Sequence, residues 1–140
     1  MKYPELHSDL LLPPPNAKLE ITPTSVAWFE ADGIYCSMGL KNPKKQTLEE
    51  LKAFTENWMK QFDDKICLLS VVDGKNETDK ETRDYIANVL PEIVKAMALV
   101  VNSVLGRMAS NLFFRVNKQD YPVKVFTDVE EARTWLRQYL

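Results

Sequence analysis

Residues Ala96 to Asp128 constrain the fold more than any other stretch of this chain. An apolar run, AMALVV, precedes NSVLGRMASNLFFRVN, whose apolar residues recur at helical spacing, and KQDYPVKVFTD follows. A strand, an amphipathic helix and a second strand in that order form the unit that builds a parallel sheet with helices packed on it. KICLLSVV, from Lys65 to Val72, is nearly continuous in apolar character, as a parallel strand covered on both faces should be.

The remaining elements fit around these strands. Two apolar-rich runs, Ser25 to Glu30 and Ile34 to Leu40, flank Asp32-Gly33 and read as an antiparallel hairpin. Thr47 stands three residues before Glu50, a capping box that opens a first helix from about Leu48 to Phe62. A second box, Thr78 to Glu81, opens a helix expected to stop before Pro91, and the strand from Lys95 to Val101 follows. Ser103 caps helix three, whose Leu105, Met108, Ala109, Leu112 and Val116 are expected to face the sheet. A third box, Thr127 to Glu130, opens helix four. The fold class is therefore α/β, a mixed sheet in the order β-β-α-β-α-β-α-β-α. A Pro-rich arm, residues 1–23, holds five of the eight prolines and is expected to lie outside a single domain spanning 24–140.

Charge and cysteine usage narrow the partners. A net charge of -2 gives no overall pull toward nucleic acid. Cys36 and Cys67 fall in apolar strands without CxxC spacing, which predicts buried reduced thiols and a cytoplasmic location. No run approaches the ~20 apolar residues that span a bilayer. His7 is the only histidine, and its place in the arm predicts an exposed ring far from any strand end. Neither a Walker loop, nor GxGxxG, nor a metal-ligand cluster is present, so no cofactor, metal or catalytic residue is expected.

Ligands of open α/β sheets gather at the carboxyl ends of the strands. Asp73, Asn102, Ser103, Thr127 and Asp128 should lie there. Helices two and four carry acids in their first turns, whereas helix three opens on Ser103-Val104-Leu105-Gly106 with Arg107 one turn in. Asn102, Ser103 and Arg107 are accordingly the candidate ligand-binding residues, suited to a phosphate or carboxylate. The helical phase puts Phe114 opposite the sheet-facing stripe, beside Arg107, Ser110 and Asn111. With Arg115 and Lys118 it makes a locally basic interface candidate, suited to an acidic partner surface and less well to peripheral contact with an anionic membrane.

From Glu81 to Leu136 the chain, ETRDYIANVLPEIVKAMALVVNSVLGRMASNLFFRVNKQDYPVKVFTDVEEARTWL, resembles the STAS-like domains. These share the fold of bacterial anti-sigma-factor antagonists and of the cytoplasmic tails of sulfate transporters, and the likeness is greatest to an uncharacterised bacterial branch of the group. The resemblance implies a regulatory domain with a phosphorylatable hydroxyl at the start of the second helix, in an Asp-Ser-Ser/Thr-Gly-like motif. Here Asp73 is followed by Gly74-Lys75-Asn76-Glu77, and the first hydroxyl is Thr78, the candidate phosphosite that the capping box already explains. The expectation is a non-catalytic STAS-like module that binds a protein partner and forms a homodimer. The alternative is a carrier for a small anionic or amphiphilic ligand at the start of helix three.

Overall fold

The computed structural model describes residues 3–72, 79–116 and 119–140, with the side chains of 112–116 left aside. The element order is β1 (Glu20–Ile21), β2 (Ser25–Phe29), β3 (Tyr35–Gly39), α1 (Leu48–Gln61), β4 (Ile66–Val72), α2 (Lys80–Ile93), β5 (Val94–Val101), α3 (Val104–Val116), β6 (Val123–Phe126) and α4 (Val129–Arg137). It is an α/β fold with a mixed six-stranded sheet and four helices. The short β1, drawn from the arm, adds one strand to the expected order.

The six strands lie side by side in chain order, β1 to β3 antiparallel and β3 to β6 parallel. Three successive crossovers therefore step in the same direction. Right-handed crossovers then put α1, α2 and α3 on one face. The opposite face is left to α4 alone, a helix of nine residues. Such a helix is about 13 Å long, too short to cover six strands.

The arm supplies the missing cover. Leu11 is 3% exposed and belongs to the same core as Trp28, Cys36, Met38, Leu69, Val100 and Leu136, with Tyr3, Leu6, Ala17 and Leu19 packed against it. Residues 5–7 are tied to the end of β3: Leu6 bridges Leu40, the His7 amide donates to the Gly39 carbonyl at 3.1 Å, and the Lys41 amide to the Glu5 carbonyl at 2.9 Å. Proline content indicated extended backbone, but not that Leu6 and Leu11 would be needed on the sheet. The expected peripheral tail is thus part of the core.

Local chemistry sets the element ends. Thr47 and Glu50 form the expected capping box, with the Glu50 amide donating to Thr47 Oγ1 at 3.1 Å and the Thr47 amide to Glu50 Oε1 at 3.3 Å. The other two caps fall one residue later than expected. Asp79 accepts from the Thr82 amide at 2.8 Å and Asp128 from the Glu131 amide at 3.1 Å, a carboxylate being the stronger partner for a positive helix end. Pro91 lies inside α2, in its last turn, so the helix runs past it with one amide donor fewer, and Ile93 leads directly into β5. Between β2 and β3 the loop is longer than a two-residue turn: Phe29 pairs with Tyr35, and Gly33 takes φ 97°.

Across the gap between the β2–β3 loop and α4 runs an ion-pair clamp. Arg133 donates to both oxygens of Glu30 at 2.8 and 2.9 Å, and Arg137 Nε to Asp32 at 3.3 Å. The Glu30–Arg133 pair is largely buried and bidentate, the geometry in which such pairs are strongest.

If the arm is core, shortening Leu11 should cost as much as a change within a strand. Leu11→Ala should lower unfolding free energy by about 2–4 kcal/mol in urea titration, the usual range for such a core truncation. A loss within about 0.5 kcal/mol would mean that Leu11 is a surface residue.

Candidate functional site: the carboxyl edge and helix α3

The carboxyl edge of the parallel strands is built as the topology requires. Asn102 and Ser103 follow β5 and are exposed, as are Thr127 and Asp128 after β6. Asp73 and the candidate phosphosite Thr78 lie outside the described residues. Ser103 caps α3: the Gly106 amide donates to its Oγ at 3.0 Å, and the Arg107 amide to its carbonyl at 2.9 Å. The first turn of α3 contains no acid. Asn102, Ser103 and Arg107 thus share one helix start, but a lone pair of the Ser103 hydroxyl is already engaged.

Over its described side chains, Val104 to Asn111, the helix is turned the other way from its hydropathy pattern, the side chains of Leu112 and Val116 lying outside the described residues. Val104 is 62% exposed, Leu105 80% and Met108 62%, while Gly106, Arg107 and Ser110 are half-buried. Only Asn102 separates β5 from the Ser103 cap, so strand and cap together set the rotation of the helix. Gly106 and Ser110, four residues apart, put small side chains on the inner face, where the backbone can approach closely. The expectation that Leu105, Met108 and Ala109 face the sheet is corrected accordingly. Of the interface candidates, Phe114 and Arg115 lie within α3, but their side chains and all of Lys118 fall outside the described residues.

Sequence reading missed His7. It stands at the carboxyl ends of β3 and β4, where Nε2 donates to the Val71 carbonyl at 3.3 Å, rather than in solvent far from the strand ends. Gly39 makes room for the ring, since a Cβ at that position would come within 3.0 Å of His7 Cδ2. Because a carbonyl can only accept, Nε2 carries a proton and the neutral ring would leave Nδ1 as acceptor.

On the helix-covered face one lateral row runs across the sheet: Glu20, Ala27, Ser37, Ser70, Leu99 and Val125 are cross-strand neighbours in that order. All but Ala27 are half-buried. The alternate positions of β4 on the other face, Cys67, Leu69 and Val71, are almost fully buried. The cover is looser on the helix side because α2 contributes no fully buried residue and α3 presents Gly106, Arg107 and Ser110. The polar positions Ser37 and Ser70 were visible within β3 and β4 as breaks in apolar runs.

At the end of this row burial raises the Glu20 carboxyl above its ordinary value of 4.5, with the Tyr35 hydroxyl and Lys18 drawing it back. The Tyr35 hydroxyl is buried without a hydrogen bond of full geometry, yet lies close enough to Glu20 that each shifts the other. Burial first, and Glu20 second, push the tyrosine upward. Burial also raises both thiols, Cys36 further because Glu30 lies beside it, so both stay protonated and weakly nucleophilic. Among the described residues no group of three or more His, Cys, Asp or Glu side chains could hold a metal ion. Nor is any described helix long and apolar enough to cross a membrane.

A raised carboxyl favours the folded state when protonated, so its contribution is complete below about pH 4.5 and is lost as pH rises through the folded value. At pH 7 the half-buried charge opposes folding. Glu20→Gln should therefore be more stable than the parent in urea at pH 7, and the gap should close below pH 4.5. Equal midpoints at pH 7 would show that Glu20 is solvated.

No curated protein and no solved structure matches this chain. A family model does, over residues 27–140, from the middle of β2 to the end of the chain, a span that takes in the parallel strands, all four helices and the carboxyl edge just described. The arm that completes the second face lies upstream of that span. On this match the chain belongs to the family described as a domain of unknown function, DUF7793.

Proposed function

We propose that this chain is a non-catalytic STAS-like regulatory module that works by docking a protein partner, a second copy of itself included, through the outward face of α3. One observation carries the reading: Val104, Leu105 and Met108 stand in solvent on a single helix whose described inward positions are Gly106, Arg107 and Ser110. A surface helix ordinarily does the reverse, turning its apolar stripe inward. Contiguous exposed apolar groups mark interaction sites more often than single ones do.

The groups with chemical reach support binding rather than catalysis. The Ser103 hydroxyl accepts the cap bond, the thiols are buried and protonated, and the His7 ring is tied to a strand carbonyl. The resemblance of Glu81 to Leu136 to STAS-like domains supplies the regulatory part. A second reading, a carrier for a small anionic or amphiphilic ligand at the start of α3, draws on the loosely covered row from Ser37 to Val125 and on the half-buried Arg107 near the start of that helix.

Sedimentation of the full chain at several concentrations tests the first reading, with native mass spectrometry of the same sample to reveal any retained small molecule. Reversible association should appear in the parent and weaken about tenfold or more in Leu105→Asp, since an exposed site tolerates the charge but an apolar contact does not. Association unchanged by Leu105→Asp would exclude this face as the site of self-association. A stoichiometric small-molecule adduct would favour the carrier.

A further inference from the structure

We infer that residues 3–11 of the arm exchange between copies of this chain, the arm of one copy closing the sheet face of the other and setting His7 at the carboxyl ends of that copy's β3 and β4. The surface concerned is the one beneath the arm, on the sheet face opposite α3, so the inference stands apart from the docking role of α3.

The contacts of the segment are the first argument. Leu6 bridges Leu40, the His7 amide donates to the Gly39 carbonyl at 3.1 Å, the Lys41 amide donates to the Glu5 carbonyl at 2.9 Å, and His7 Nε2 donates to the Val71 carbonyl at 3.3 Å. Leu11 is 3% exposed in the core that holds Trp28, Met38 and Val71. The partner groups of these bonds belong to residues 39–41 and to Val71, so the bonds form equally well whichever copy supplies the arm. An exchanged arm keeps the whole set, and only the segment joining it to β1 has to change conformation.

That joining segment is the second. It begins Leu12-Pro13-Pro14-Pro15-Asn16, and Leu12, Pro13 and Pro14 each precede a proline, which holds all three in extended backbone. The reversal that brings the arm back over its own sheet is left to Pro15 and Asn16, closed by the bond from the Ala17 amide to the Pro14 carbonyl at 3.1 Å. Leu12, Pro14, Pro15 and Asn16 are exposed, and a cleft lined by Tyr3, Pro13, Pro14, Pro15, Asn16 and Ala17 lies at the turn, so little packing holds it shut. Opened out, Leu12 to Leu19 span about 25 Å at the polyproline rise, enough to lay residues 3–11 across the face of a second copy. A stiff proline linker also lowers the local concentration of the arm at its own site, which favours the site on the other copy.

Glu5 and Lys41 give the test, since they stand opposite each other beside the Leu6–Leu40 bridge and are exposed, so that replacement leaves the fold intact. Full-length Glu5→Cys and Lys41→Cys are prepared separately, mixed at about 1 mM, where a second copy competes with closure inside one chain, and oxidised. Opposed strand residues lie close enough for a disulfide, and the native thiols are buried. A covalent dimer joining one chain of each variant should appear on a non-reducing denaturing gel, be identified by its mass, and exceed the dimers within either variant about tenfold. Both substitutions in one chain should give a cross-linked monomer in dilute solution and a cross-linked dimer at about 1 mM. Adding Pro13→Gly and Pro14→Gly should lower the mixed dimer about threefold or more, because flexible backbone lets the arm fold back on its own sheet. A mixed dimer no more abundant than the dimers within either variant would overturn the inference. So would a doubly substituted chain that cross-links only to itself at about 1 mM, or a yield indifferent to the two glycines.

Discussion

The sheet is laid down in chain order without a reversal, and most of the structure follows from that constraint. Each parallel connection steps the same way, so handedness sends α1, α2 and α3 to a common face. The other face must then be closed with what remains, one short helix and the segment before β2. Leu11, Leu6 and Leu19 answer that need, and Glu30–Arg133 fastens α4 across the hairpin end. The face closed by the fewest regular elements is consequently the better buried one: Trp28, Met38, Leu69 and Val100 are fully enclosed.

The helix side is looser for a complementary reason. Aromatic packing of Trp58 with Tyr35, Phe54 and Phe62 concentrates under α1, at one end of the sheet. Farther along, α2 has no fully buried residue, and the described inward positions of α3 are a glycine, an arginine and a serine. Val104, Leu105 and Met108 point outward instead. The exposed face of α3 thus reflects the fixed rotation of a helix begun two residues after a strand, and it is this face that the proposed function uses.

How much of this could be read from the sequence depends on the range of the interactions involved. The parallel strands, the four helices and the Thr47–Glu50 box were legible because each is set by residues within a turn or a strand of one another. Cap positions at Asp79 and Asp128 were missed by one residue, since Thr and Asp stand adjacent at both sites and either can cap. The arm, His7 and the pairing of Glu20 with Tyr35 were not legible, because they depend on which sheet face lacks cover, a property of the whole topology. The rotation of α3 was misread for a related reason. Hydropathy periodicity identifies an apolar stripe but assumes that this stripe meets the sheet, whereas here the strand-to-helix connection decides the phase. Ser103 was legible as the cap of α3, while the outward residues Leu105 and Met108 had been assigned to the core.

The orientation of α3 is the claim on which the functional account stands, and solvent paramagnetic relaxation of side-chain methyls measures it directly. With a soluble gadolinium chelate added to dilute protein, the methyls of Leu105 and Met108 should relax strongly, while those of Leu69 and Val100 remain protected. Protection of Leu105 and Met108 at dilutions where the protein is monomeric would place the apolar stripe against the sheet and contradict the account.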